Sequence, residues 1–151
     1  MSPAPSFVLL PSVRLRVRLI ALIYEALIIT ALLFIATAAF TAVFGDSRAQ
    51  PMQLLLRVFL FVVAGMYFVG SWTGGRRTLP MRTWRMHLVD ESGQNLSVGR
   101  ASLRYVLAAL GITLGGIGIL WAMVDRDRQF LHDRIGRTRV VADAGTPSAP
   151  N

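Results

Sequence analysis

The stretch "LIALIYEALIITALLFIATAAFTAVF", residues 19–44, holds a single charged side chain, Glu25, in 26 positions. A helix of roughly 20 apolar residues crosses a hydrocarbon core about 30 Å thick, so this segment is long enough to span a bilayer. A cleaved signal peptide has an apolar run of about 7 to 15 residues. We therefore expect residues 19–44 to stay in the mature chain as a membrane span.

Two more apolar segments follow, Leu54 to Trp72 and Leu103 to Val124. The chain has 151 residues, of which 54% are hydrophobic and 16% charged, and this composition is too apolar for an ordinary soluble domain. The sequence predicts an all-α integral membrane protein with two spanning helices and a third apolar segment. We predict disordered ends at residues 1–10 and 142–151, and one membrane domain over residues 11–141.

The composition also excludes several kinds of chemistry. The chain has no cysteine, so thiolate catalysis, disulfides and thiolate metal sites are impossible. All sixteen basic residues are arginines, and the formal net charge is +8. These arginines flank apolar segments instead of alternating with aromatic residues along a basic groove, which argues against nucleic acid as a partner. Anionic lipid headgroups are the partner that this distribution favours.

The positions of the arginines predict the orientation. Three lie in residues 1–18, one in residues 45–53, five in residues 73–102 and five in residues 125–151. Positively charged flanks stay on the cytoplasmic side, so the amino terminus and the central loop should be cytoplasmic. The first two spans then form a hairpin in the bacterial inner membrane, with "GDSRAQPMQ" as its outer turn.

The third segment conflicts with this rule if it crosses fully, because the arginine-rich tail would then lie outside. Its sequence, "YVLAALGITLGGIGILWAMV", has Gly111, Gly115, Gly116 and Gly118 within eight residues. Glycine weakens a helix interior, so the segment could break there and re-enter the cytoplasmic side. The alternative is one continuous helix in which Gly111 and Gly115 form a small-residue contact face. The charge rule favours re-entry.

Short β-prone pieces occur in the loop and the tail. "RMHLVDESGQNLSV", residues 85–98, contains two extended pieces around a glycine turn, and "TRVV" at residues 138–141 is another. If these pair, loop and tail share one side of the membrane; otherwise they are irregular interface segments. In "DRDRQFLHDRIGRT", residues 125–138, the spacing of Asp133 and Arg137 predicts one face of a short amphipathic helix at the cytoplasmic interface. Its aspartates could hold Arg16, Arg18 or loop arginines.

Glu25 and Arg18 are the charges of the first span that matter most. They are seven residues apart, which places them on one helical face but about 10 Å apart along the axis. A carboxylate inside the bilayer is costly and usually faces the bundle interior. Glu25 is therefore either a group that titrates or coordinates a cation, or a structural partner of Arg18, Arg104 or a tail arginine. Arg57, near the outer end of the second span, should extend to the outer headgroups.

No arrangement in the sequence predicts catalysis, a cofactor or a metal. His132 and Asp133 are adjacent, and neighbouring helical residues point about 100° apart. Trp72, Trp84 and Trp121 fall near proposed cytoplasmic ends of apolar segments, where tryptophan anchors helices at the interface. We expect no enzyme activity.

Four polar motifs resemble the RDD family of small bacterial membrane proteins. They are "RLIALIYE" at residues 18–25, "GGRRTLPMRTWRMHLVDESG" at 74–93, "RASLR" at 100–104 and "DRDRQFLHDRIGRTRVV" at 125–141. The resemblance covers roughly residues 16–141, and its specificity lies in the order and spacing of these motifs, above all "LHDRIGRT".

The family is named for an arginine at the start of its first helix, an aspartate within that helix and an aspartate near the carboxyl end. The resemblance assigns the first to Arg18 and the last to Asp133, whereas Glu25 stands at the middle position with a longer arm. In the loop the family pattern resembles G-Q-T-x-G, and here Arg77 replaces the glutamine and Pro80 the glycine around Thr78. Because proline cannot adopt a positive φ, the turn after Thr78 must differ.

The resemblance implies transport, with cation/proton antiport proposed for some members. We predict permeation of a small ion, a proton or monovalent cation, by a homo-oligomer, since three segments cannot easily enclose a pathway. Glu25 would titrate while Arg18 and Asp133 gate or orient it. The alternative is a membrane scaffold or assembly partner that binds protein or lipid headgroups. The secondary candidate residues are Arg57, Thr78, Arg104, Asp125 and His132.

Overall fold

A computed structural model describes residues 13–45, 49–116, 121 and 130–142. Within these ranges lie five named helices and two strands, which we label in chain order. They are α1 (Leu15–Phe44), α2 (Gln50–Trp72), α3 (Leu79–Thr83), β1 (Met86–Asp90), α4 (Val98–Thr113), α5 (Leu131–Ile135) and β2 (Thr138–Ala142).

The two long helices form an antiparallel hairpin. Glu25 near the start of α1 meets Tyr67 near the end of α2, and Phe40 near the end of α1 packs on Phe59, with ring centroids 5.4 Å apart. Each helix begins four residues before the predicted apolar segment. Both are long and apolar enough to cross a membrane.

Most large apolar side chains of the hairpin face outward. Phe34 is 75% exposed, Ile23 and Leu27 are each 65% exposed, and Leu54 is 64% exposed. A protein surrounded by water would bury such a surface, whereas lipid is an apolar solvent that accepts it. This pattern is the one expected of spanning helices. Arg57 of α2 is also exposed, so it does not face the bundle interior.

The packed core lies at one end of the hairpin. There the loop after α2 and the tail are joined by an antiparallel ribbon, in which Leu88 of β1 is opposite Val140 of β2. The backbone N–H of Val13, just before α1, donates to the carbonyl of Val140 over 3.5 Å. We call this the polar end: the start of α1 and α4, the loop (residues 73–97) and the tail (residues 130–142). The pairing of loop and tail anticipated from their β-prone pieces is present.

The helix of the third apolar segment begins five residues earlier than the predicted start at Leu103. α4 starts at Val98, and the helix stops at Thr113, where Gly115 and Gly116 both have left-handed φ values, 77° and 78°. Such φ values are open to glycine and costly for other residues. α4 therefore does not continue as a helix through Gly115. Of the remaining predicted segment only Trp121, which is helical and exposed, lies within the described ranges.

The small-residue contact lies in α2. A Cβ atom at Gly65 would come within 3.1 Å of the Tyr105 ring of α4, and the Tyr105 hydroxyl donates to the Phe61 carbonyl over 2.8 Å. The absence of a side chain at Gly65 thus lets the aromatic ring lie against the α2 backbone. This contact fixes α4 beside the second span.

The amphipathic helix predicted for residues 125–138 lies partly on residues 125–129, which are outside the described ranges. α5 covers only Leu131–Ile135, and Arg137 follows it with a φ of 49°, so Arg137 does not share a helical face with Asp133. The chain turns at Gly136, where a Cβ atom would lie 2.8 Å from the His132 carbonyl oxygen. Glycine is needed because the backbone passes so close. The predicted disordered tail also began one residue too early, since Ala142 belongs to β2; the other residues of both predicted disordered ends lie outside the described ranges.

Candidate functional site

A buried carboxylate pairs with two buried arginines at the polar end. Asp133 is 1% exposed, and its Oδ2 contacts Nη2 of Arg18 while its Oδ1 contacts Nη1 of Arg104. Arg18 and Arg104 are 7% and 4% exposed. We call these three residues the arginine–aspartate cluster. Two arginines and one aspartate give the cluster a formal net charge of +1.

Aromatic rings cover both guanidinium groups. The Arg18 Cζ atom lies 4.3 Å from the centroid of the Phe130 ring, and the Arg104 Cζ atom lies 4.8 Å from that of Trp72. An aromatic face attracts a cation, most strongly where water is excluded. Trp72 is only 7% exposed, so its predicted role as an interface anchor is wrong: it packs beneath Arg104.

The cluster joins segments that are distant in the sequence. Arg18 comes from the first turns of α1, Arg104 from the second turn of α4 and Asp133 from α5. Arg104 Nη1 also donates to the Thr138 hydroxyl of β2 over 2.8 Å, and that hydroxyl donates to the Asp133 carbonyl over 3.4 Å. One set of polar contacts thus connects α1 and α4 with the tail.

His132 sits beside the cluster as a neutral imidazole. Its ring stacks on Phe130 with centroids 5.5 Å apart, and its Nε2 lies 3.6 Å from Asp133 Oδ1. Burial, followed by the positive charges of Arg104 and Arg18, lowers the pKa of His132 to about 2. The two neighbours thus approach each other more closely than helical spacing alone predicted. In the described ranges no three acidic or histidine side chains are grouped closely enough to hold a metal ion.

A second polar site lies inside the hairpin at Glu25. The Tyr67 hydroxyl donates to Glu25 Oε1 over 2.8 Å, and the Thr78 side chain is hydrogen-bonded to the same carboxyl group. Glu25 is half-buried, while Thr78 is 2% exposed. The site therefore holds a carboxyl group between two hydroxyl groups within a membrane span.

Thr78 takes part because the loop after α2 turns back towards α1. Its side-chain oxygen accepts the Met81 N–H over 3.4 Å and so caps α3, in which Pro80 lies in the first turn. Proline is tolerated there because the first N–H groups of a helix have no partner within it. The altered turn predicted after Thr78 is thus the first turn of a short helix.

Of the sequence candidates, the structure brings together Arg18, Arg104, His132 and Asp133 in one place, and Glu25 and Thr78 in another. Arg57 lies on the exposed surface of α2, away from both. Asp125 lies outside the described residues. Sequence reasoning missed Tyr67, although a hydroxyl-bearing aromatic inside an apolar span is itself a signal, because a buried phenol usually needs a hydrogen-bond partner.

The RDD family model matches residues 13–137, which include the arginine–aspartate cluster and Glu25, Tyr67 and Thr78. The chain belongs to the RDD family. It is a membrane protein. Arg18 and Asp133, the two residues to which the resemblance assigned the family's arginine and terminal aspartate, form a direct ion pair. No curated protein and no solved structure gives a significant match.

Replacing Asp133 should destabilise this RDD protein strongly. Asp133→Asn keeps the side-chain shape but leaves two buried guanidinium groups without a carboxylate, and breaking a buried pair in this way costs about 3 to 5 kcal/mol. We expect a matching loss of unfolding free energy in detergent. The control is Asp90→Asn at the end of β1, where the Asp90 side chain, 12% exposed, pairs over 2.6 Å with Arg100, which is 50% exposed. Equal losses at both sites would contradict this account of the cluster.

Acid should destabilise the protein through His132. Because the pKa of His132 is lowered in the folded chain, the unfolded chain binds a proton first as the pH falls below about 6.5. The free energy of unfolding should therefore drop by about 2 kcal/mol from this residue between pH 7 and pH 5. Urea unfolding of His132→Gln should lack that part of the drop. A variant with the same pH dependence as the wild type would show that His132 is protonated equally in both states.

Proposed function

We propose that this protein moves a proton or a small monovalent cation across the bacterial inner membrane, with Glu25 as the group that gains and loses the ion. One observation carries the proposal: a carboxyl group lies inside a span, half-buried, with two hydroxyl groups as its neighbours. An ionisable group at such a depth is expensive to keep. Its presence between hydroxyl groups, which can ligate a cation or relay a proton, supports an ion-handling role.

In this proposal the arginine–aspartate cluster closes the pathway at the polar end. Arg18 lies about two helical turns before Glu25 in α1, and its guanidinium is held by Asp133. The buried positive charge of Arg18 repels a cation that approaches Glu25 from the polar end. Arg18 and Asp133 would thus gate access to Glu25, as the sequence suggested.

We further propose that the polar end is cytoplasmic and that the chain crosses the membrane more than once, with a re-entrant third segment. The polar end unites the start of α1, the loop and the tail. These parts carry most of the arginines, which favour the cytoplasmic side. α4 enters the bundle from this end and stops at Gly115 and Gly116, which supports re-entry.

This orientation predicts a labelling pattern in a chain that has no cysteine of its own. Single cysteines at Asn95 in the loop, at Arg139 in β2 and at Ala49 in the turn between the spans all fall on exposed positions. With an impermeant thiol reagent on intact cells, only the Ala49 site should react, and all three should react after the cells are opened. Labelling of Asn95 and Arg139 but not Ala49 would invert the orientation.

A pathway also needs more protein than one chain. Two long helices and α4 cannot easily enclose an ion route, so we propose a homo-oligomer. Exposed arginines at the polar end, such as Arg14, Arg16 and Arg82, would contact anionic lipid headgroups. We propose no enzymatic reaction for the protein.

Flux should depend on the ability of Glu25 to ionise. Glu25→Gln preserves size and hydrogen bonding but cannot titrate, so pH-dependent proton or cation movement in reconstituted vesicles should vanish. Glu25→Asp keeps a carboxyl group on a shorter side chain and should retain measurable flux. Insertion and oligomer size in detergent should be the same for the three proteins. Equal flux in the wild type and Glu25→Gln would remove Glu25 from the mechanism.

The second candidate is a non-transporting scaffold that binds protein or lipid headgroups. The exposed arginines of the polar end favour it, because they face outward while Arg18 and Arg104 are taken up by Asp133. Absence of flux from correctly inserted wild-type protein would shift the assignment to this candidate.

A further inference from the structure

The two hydroxyl groups at Glu25 come from different elements and carry no charge. Tyr67 lies in α2, and Thr78 immediately precedes α3. Tyr67 donates to Oε1 over 2.8 Å, and Thr78 is hydrogen-bonded to the same carboxyl group. The orientation of Glu25 is thus set from outside its own helix.

A hydroxyl group can serve both protonation states of a carboxyl group. It donates a hydrogen bond to a carboxylate, and after rotation about its own C–O bond its oxygen accepts a hydrogen bond from the protonated acid. Tyr67 can therefore donate to ionised Glu25 and accept from neutral Glu25 without movement of the backbone. An arginine in that place has no acceptor and would serve only the ionised form.

Thr78 is held more firmly than Tyr67. Its oxygen accepts the Met81 N–H, so its own proton is directed away from that bond, and it is almost fully buried. A carboxyl group retains an acceptor oxygen whether or not it is protonated. Thr78 can donate to Glu25 in both states while it continues to cap α3.

We propose that Tyr67 and Thr78 are positioning residues that keep the Glu25 carboxyl group in one place while it gains and loses its ion. This inference rests on the proposed function and deepens it, because it names the residues that would set the pH range of transport. Tyr67 and Thr78 thus hold Glu25 through two hydrogen bonds, in the place where an arginine would form an ion pair. The ion can then leave Glu25 without separation of α1, α2 and α3.

The proposal has a measurable consequence for pH dependence. A hydrogen bond to an ionised carboxylate is stronger than one to a neutral acid, so loss of either hydroxyl weakens the ionised form more. We expect the acid limb of the flux profile to move to higher pH by about one unit for each hydroxyl removed. The charged neighbours in the chain, Arg18 in α1 and Arg77 beside Thr78, stay the same in all variants.

The first measurement is proton or sodium flux against pH in vesicles reconstituted with the full chain. Tyr67→Phe and Thr78→Val each remove one hydroxyl group, whereas Thr78→Ser keeps the hydroxyl group at position 78. The matched control is Tyr105→Phe, which removes an equivalent phenol whose hydrogen bond goes to the Phe61 carbonyl. The acid limb should move for Tyr67→Phe and Thr78→Val and stay in place for Thr78→Ser and Tyr105→Phe. An unmoved limb in Tyr67→Phe overturns the proposal.

The second measurement does not need flux. A double-mutant cycle of Tyr67→Phe with Glu25→Gln, followed by thermal unfolding in detergent, reports whether the phenol stabilises the charged carboxylate. We expect a clear coupling at pH 8 that weakens on acidification, and no coupling between Tyr105→Phe and Glu25→Gln. Zero coupling for Tyr67 overturns the positioning role even if Thr78→Val fails to fold. If the wild type shows no flux, the proposed function falls, and the cycle alone decides whether Tyr67 holds Glu25.

Discussion

The polar end depends on one carboxylate shared by two arginines. Asp133 neutralises only one of the two positive charges that it touches, and all three side chains are buried. Charges removed from water are tolerated only with close partners, so α1, α4 and α5 must meet with their side chains already aligned. The aromatic rings of Phe130 and Trp72 assist by covering the guanidinium faces. The packing of the loop and tail against the hairpin follows from this constraint.

The charge balance links this cluster to Glu25. Two arginines and one aspartate leave one formal positive charge, and ionised Glu25, about 10 Å further along α1, supplies one negative charge. At an effective dielectric constant of about 20, two unit charges at that separation interact by roughly 1.7 kcal/mol. An interaction of this size changes the stability of the cluster measurably, and it is weaker than the buried ion pairs within the cluster. A change in the charge of Glu25 would therefore be felt at the polar end without breaking the ion pairs there.

Sequence reasoning located both spans, because apolar length is a local property, and it offered Arg18 as one of several possible partners of the tail aspartates. For the third segment it left a break at the glycines and a continuous helix both open, and α4 ends at Thr113, just before Gly115 and Gly116. It did not place Arg104 on Asp133 or Trp72 beneath Arg104, since both contacts depend on how α4 packs against α2. Nor could spacing find Tyr67, because which side of α2 faces Glu25 is set by packing of the hairpin. Asp133 and Arg137 do not share a helical face as predicted, because the turn at Gly136 and the left-handed Arg137 follow the end of α5.

The departures that the resemblance implies occur in one structural unit. Glu25 stands where the resemblance implies an aspartate, and its longer side chain hydrogen-bonds to Thr78. Arg77 and Pro80 stand where it implies a glutamine and a glycine, and Pro80 lies in the first turn of the helix that Thr78 caps. A glycine there would give the turn freedom, whereas proline holds φ near −65° and keeps the cap geometry fixed. The longer side chain of Glu25 and the stiffer turn at Pro80 thus affect the same hydrogen bond between Glu25 and Thr78. Replacing Glu25 by aspartate alone would leave Thr78 in the position that suits the longer glutamate side chain.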